Sequence, residues 1–227
     1  MNKNYWIALF AIALTANIIG ILVSDETVQW ISKPLIVISL AGYFITTTLI
    51  SISRLRKWIL LALIFSWVGD VLLMFQSEKE IFFLLGLSSF LLAHIFYIQF
   101  FNRIRTREKL AVKWSLLLIA ALYYAILITI LFPYLGDMKW PVCIYGIVIS
   151  CMFMLAMHMP YIKNRKIGSL MMTGALLFVI SDSVLAINIF YQPLEILGAI
   201  TIILTYGLAQ YLIVEGAVRH LTSKFKE

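Results

Sequence analysis

Charged side chains are scarce in this chain. Only 13% of its 227 residues are Asp, Glu, Lys or Arg, against about 25% in a soluble domain. So few charges cannot clothe a water-soluble globule of this size. Cysteine is nearly absent. Cys143 and Cys151 lie in one apolar run, eight positions apart. On a helix that is about 12 Å at ~1.5 Å per residue, beyond the roughly 7 Å that a disulfide spans. A disulfide scaffold and a thiolate metal site are both excluded. Five prolines and eleven glycines leave no low-complexity linker. A phosphate-cradling glycine loop, a nucleophile elbow and metal-ligand spacing are missing as well. Neither metal nor organic cofactor is expected.

What the chain has in abundance is apolar sequence: 63% hydrophobic residues and a mean hydropathy of +0.98. A spanning helix needs about 20 mostly apolar residues. Eight such runs occur, at 5–23, 34–52, 57–75, 81–101, 112–132, 140–161, 168–190 and 194–217. Their apolar character is continuous, not alternating, and lipid leaves bare backbone no partner, so the runs are helices. The connections are too short to hold a soluble domain. The predicted architecture is all-α: one integral membrane domain, 1–227, of eight transmembrane helices. The first run exceeds a signal-peptide core and no A-x-A site follows, so it reads as a retained span.

The net charge of +7 reports topology. With the N-terminus inside, fifteen basic residues fall on the inner side: Lys3, Arg54, Arg56, Lys57, Arg103, Arg105, Arg107, Lys109, Lys113, Lys163, Arg165, Lys166, Arg219, Lys224 and Lys226. Only Lys33, Lys79 and Lys139 fall outside. The positive-inside rule then predicts that both termini are cytoplasmic. The basic residues face anionic headgroups. No basic patch interleaved with exposed aromatics points to nucleic acid.

Two acids interrupt the apolar runs: Asp70 in "ALIFSWVGDVLLMF" and Asp182 in "GALLFVISDSVLAINIF". An Asp at the centre of a spanning helix costs about 2.5–3.5 kcal/mol on insertion scales, and such residues face the bundle interior and mark a site or pathway. Shifting the chain by 112 positions lays Asp70 on Asp182, Gly86 on Gly198 and His94 on Tyr206. Four helices separate the copies, so the predicted repeat is parallel, 4+4. Both acids lie roughly 20 Å from the inner boundary at ~1.5 Å per residue. They share a depth, and one site can use both.

The neighbours favour an enclosed face. Ser66 precedes Asp70 by one turn, Ser181 and Ser183 flank Asp182, and Gly69 and Gly174 allow close helix approach. Two close carboxyls sharing a proton supply one acid and one base without a metal. His94 is expected somewhat deeper toward the cytoplasm, either relaying protons or packing as a satisfied core residue. Tyr206 and Gln210 share a face of span 8, bonding a polar headgroup or gluing helices. Lys33 and Pro34 open span 2, where the lysine either snorkels or meets a phosphate. Glu215 is placed to pair with Arg219 at i+4.

"KPLIVI", "FSWVGDVLLMF", "FLLGLSSFLLAHIFYI", "GALLFVISDSVLAINIF" and "TYGLAQYLIVEG", in that order across spans 2, 3, 4, 7 and 8, together resemble the YhhN family of bacterial membrane proteins, which includes the animal lysoplasmalogenases. The resemblance implies eight spans in a bacterial cytoplasmic membrane. It also implies hydrolysis of the vinyl-ether bond of a lysolipid to a fatty aldehyde and a glycerophospho-alcohol. The implied partner is a lysophospholipid or another ether lipid. Function would fall first on Asp70 and Asp182, with Lys33, His94, Ser181, Tyr206 and Gln210 matching the pattern. Two other classes stay open on the residues alone. A proton-coupled transporter would also use intramembrane acids and a histidine, although no matched pair of broken helices is present. A lipid-binding membrane protein without catalysis would leave the two level acids without a task.

Overall fold

In the computed structural model, residues 3–49, 53–76 and 78–223 are described. Lys224, Lys226 and the predicted end of span 2 at 50–52 lie outside them. Eight long helices follow in order: α1 (Lys3–Leu22), α2 (Glu26–Thr47), α3 (Arg56–Met74), α4 (Glu80–Arg107), α5 (Trp114–Leu131), α6 (Lys139–Ala156), α7 (Arg165–Ala186) and α8 (Glu195–Ser223). Each is long and apolar enough to cross a membrane. The described residues contain no strand.

The main departure from expectation is in α2. Lys33 and Pro34 do not open this helix but lie two turns inside it. The helix starts at Asp25, whose carboxylate accepts the Val28 amide at 3.1 Å as an N-cap. The apolar-run criterion missed this because the first turns of α2 are polar. Asn164 caps α7 in the same way, accepting the Ile167 amide at 3.3 Å. Past Ala186, α7 loosens into a π-helical turn, Ile187–Tyr191, a local widening often found beside functional sites.

Consecutive helices pair as antiparallel hairpins, α1 with α2, α3 with α4 and α7 with α8. The hairpins close on one another: α2 packs on α3 and α8, α1 on α8, α4 on α6, and α6 on α7. Phe44, Tyr97, Phe100, Phe101 and Phe178 are wholly buried where they meet. α5 stands apart. It packs on α6 and buries only Ala120 and Leu131. Leu116, Tyr123, Leu127 and Ile128 are half-buried against the core, and most of its other apolar side chains face outward, as a lipid-facing helix requires.

The connections divide the charges. Asp25, Glu26, Glu78, Glu80, Asp137 and Glu195 gather at the end where even-numbered helices begin. The arginines and lysines of the α2–α3, α4–α5 and α6–α7 connections gather at the other. At that basic end Glu215 accepts from Arg219 at 2.6 Å and from the Tyr43 hydroxyl at 2.5 Å.

Gly69 and Gly174 sit at close approaches to neighbouring helices, as expected of small residues in these spans. A Cβ on Gly174 would lie 2.8 Å from the Ala209 carbonyl oxygen and 2.9 Å from the Ile213 nitrogen, both backbone atoms of α8. Neither can give way without moving the helix. Gly174→Ala is therefore expected to destabilise the α7–α8 hairpin by about 1–3 kcal/mol, read as a lower thermal unfolding midpoint in detergent.

Candidate functional site

A cavity of about 310 Å³ lies in the half of the bundle toward the acidic end, at the lower limit of the roughly 300–1,000 Å³ typical of small-molecule sites. Seven of the eight helices line it; α5 contributes nothing. Asp70, Asp182, Lys33, Ser181 and Tyr206 all face it, so five residues proposed from sequence converge. Phe83, Leu87, Phe90, Leu185 and Ile203 make its apolar wall.

The two carboxyls are held separately. Asp70, 2% exposed, accepts from the Tyr206 hydroxyl at 2.6 Å. One turn away the Gln210 amide donates to Ser66 Oγ at 2.9 Å, and the Tyr97 hydroxyl donates to Gln210 Oε1 at 2.5 Å. Asp70–Tyr206 and Ser66–Gln210 are thus two rungs between antiparallel α3 and α8. They satisfy polar groups that lipid could not solvate.

Asp182, with its side chain 13% exposed, has two donors on one oxygen. The Tyr145 hydroxyl donates at 2.5 Å, and His94 Nε2 lies 3.1 Å from the same Oδ2. A proton on Nε2 leaves Nδ1 a bare lone pair, in keeping with Nδ1 being buried without a partner among the described residues. His94, placed deeper by residue counting, reaches Asp182 because side chains on the two antiparallel helices lean toward each other. Ser181 does not touch either acid: its hydroxyl donates to the Ile202 carbonyl at 3.0 Å and pins α7 to α8. Ser183 bonds Tyr123 of α5 at 2.9 Å. No hydrogen bond among the described residues joins Asp70 to Asp182 directly.

Tyr145 and Tyr97 are the residues that sequence reading missed. Tyr97 lies three positions after His94, on the same helical face. Tyr145 lies 112 positions after Lys33, the offset that relates the acids. The cavity wall carries that offset widely. Lys33 and Tyr145, Asp70 and Asp182, Leu73 and Leu185, Gln76 and Asn188, Leu87 and Ala199, and Phe90 and Ile202 all line it. The bonding follows it too, crosswise: the acid of α3 takes the ring on α8, and the acid of α7 takes the ring on α4.

Fold and site define a class: a polytopic helical membrane protein with a lipid-depth cavity bearing two acids, each bonded to an aromatic ring of another helix. Residues 28–217 match the YhhN family. The chain belongs to that family. It is 32% identical to the human lysoplasmalogenase TMEM86B over 158 residues, 70% of this chain and 62% of that protein. It is 32% identical to the human lysoplasmalogenase TMEM86A over 166 residues, 70% and 65% of the two. The rat lysoplasmalogenase TMEM86B is 30% identical over 158 residues, 70% and 60%. The chain therefore covers less than two thirds of each relative's length. No solved structure matches the chain.

Gln210 bridges Tyr97 and Ser66 in a wholly buried setting. Gln210→Leu strands both hydroxyls and is expected to cost about 2 kcal/mol, read as a shifted denaturation midpoint.

Proposed function

We propose that this protein hydrolyses the vinyl-ether bond of a lysolipid within the membrane, releasing a fatty aldehyde and a glycerophospho-alcohol. The observation that carries the reading is the pair of carboxyls facing one cavity, each oriented by a ring from another helix. The names of the relatives support the same substrate class.

Vinyl ethers hydrolyse by acid. A proton on the β-carbon makes an oxocarbenium ion, water adds, and the hemiacetal collapses. Asp70 is the donor in this scheme. It is the more enclosed acid and accepts one hydroxyl. Asp182, bonded by two donors, serves as the carboxylate. It faces the oxocarbenium ion and takes a proton from the attacking water. In the collapse the hemiacetal hydroxyl returns a proton to Asp70, and Asp182 delivers its own to the departing alcohol oxygen. One water is consumed and both acids are restored. Tyr206, Tyr145 and His94 position the acids. Ser66 and Gln210 hold the α3–α8 interface behind them.

Two further features complete the proposal. The paired cavity wall supports a parallel 4+4 repeat, α2–α4 corresponding to α6–α8, with the two acids near its axis. The basic end supports cytoplasmic termini, so the cavity lies toward the outer side.

Asp70→Asn and Asp182→Asn test the mechanism, each keeping shape and a hydrogen-bonding group. In liposomes carrying an alkenyl lysolipid, each variant is expected to lose aldehyde release by at least about 100-fold, a typical contribution of acid–base catalysis, while eluting as wild type on size exclusion. Unimpaired release by either variant sinks the two-acid mechanism. Proton or solute flux without aldehyde from the wild type makes the protein a carrier instead.

A further inference from the structure

A second chamber, of about 280 Å³, adjoins the cavity. It is lined by Glu26, Gln29, Trp30, Lys33, Leu73, Met74 and Gln76. Gln29, Lys33, Leu73 and Gln76 line both spaces, so the two share a wall. Their characters differ: the first is walled mainly by apolar side chains, the second by two opposite charges, two amides and an indole.

The charged groups are ordered along α2. Glu26, Trp30 and Lys33 stand at i, i+4 and i+7, which places them on one helical face. Glu26 is exposed in the first turn of α2. Lys33 is two turns further in, about 10 Å along the axis at ~1.5 Å per residue, half-buried where the chambers meet. Lys33 and Asp70 line the same cavity, yet no ion pair joins the two among the described residues. The α1–α2 hairpin that carries this face is fastened by Asn17, which donates to Ser32 Oγ at 2.9 Å, and by Gln29, which donates to the Gly20 carbonyl at 3.1 Å.

We propose that this outer chamber is a headgroup site for a zwitterionic phospho-amino-alcohol. Lys33 takes the phosphate and Glu26 with Trp30 takes the ammonium. The assignment rests on the lysolipid reading above and deepens it. The first cavity holds the apolar wall and the two acids, Lys33 stands where the two spaces adjoin, and the indole and carboxylate stand in the second. Along a lysolipid the order is chain, ether, glycerol phosphate, then amine. Each group of the lipid meets a lining of matching chemistry in that arrangement. A phosphate bound at Lys33 sits beside the cavity that both acids line, which brings the ether bond into that cavity. Carboxylate and indole are suited to an ammonium through charge and cation–π attraction.

Binding tests this without catalysis. The probes are two saturated ether lipids that cannot be hydrolysed: an alkyl lysophosphatidylcholine and the alkylglycerol of the same chain. Each is titrated into the purified protein in detergent micelles, with Trp fluorescence as the signal. Wild type is expected to bind the phosphocholine lipid at least tenfold tighter than the alkylglycerol. Lys33→Gln should erase most of that preference through the phosphocholine lipid alone, and Lys33→Arg should retain it. Glu26→Gln should lower affinity for the phosphocholine lipid and not for the corresponding lysophosphatidic acid, which has phosphate and no amine. Equal binding of the two ether lipids by wild type overturns the assignment. So does an unchanged preference in Lys33→Gln, or displacement of the lipid by excess inorganic phosphate as effectively as by glycerophosphocholine. Headgroup preference without aldehyde release from alkenyl lipids would leave the chamber standing and remove the hydrolase reading.

Discussion

A carboxyl buried at lipid depth must find its hydrogen-bond donors inside the protein, and the architecture around the cavity follows from that constraint. Lipid supplies no donor, and water reaches such depths only through a cavity. Each acid is therefore tied to a helix outside its own hairpin: Asp70 on α3 to Tyr206 on α8, Asp182 on α7 to His94 on α4 and Tyr145 on α6. These bonds do two things. They remove the penalty of burying a polar group, and those from Tyr206 and His94 cross-link α3 to α8 and α7 to α4 at the level of the cavity. Small residues set how closely the helices around the cavity pack. With Gly174 against the α8 backbone, α7 and α8 come close enough for Ser181 to reach the Ile202 carbonyl.

The fold was largely legible in the sequence because lipid imposes a simple rule on it. Eight continuous apolar runs had no alternative to eight helices, and the two interrupting acids were conspicuous against them. The start of α2 escaped for the complementary reason. Glu26, Gln29 and Ser32 are polar, so a hydropathy window saw no helix, while the signal actually present was the Asp25 cap. Those same polar turns line the outer chamber. The segment hardest to recognise as helix is thus the one most exposed to polar chemistry.

The site was legible as a list and less so as a set of bonds. Depth counting placed both acids at one level, and the residues do face one cavity. It could not say that Tyr145 would hold Asp182, because a tyrosine in an apolar helix gives no depth or direction of its own. Nor could it say that Ser181 would spend its hydroxyl on a helix–helix contact instead of on the neighbouring acid. Angular position around a helix axis decides both, and that is set by packing against partners far away in sequence.

The 112-position correspondence sharpens the chemical question by where it is kept and where it is broken. Three of the six pairs on the cavity wall are alike or nearly so: Leu73 with Leu185, Gln76 with Asn188, and the acids themselves. Next to the acids they differ. Lys33 shares the cavity wall with Asp70 where Tyr145 bonds Asp182, and Tyr206 bonds Asp70 where His94 reaches Asp182. A symmetric pair of acids in matched surroundings would have no reason to divide into donor and acceptor. Acid–base chemistry needs the two environments pushed apart. Under the proposed repeat, two like halves supply a shared cavity and two acids at one depth. Substitution at the positions touching those acids then gives them different neighbours and, in the proposed reaction, different work.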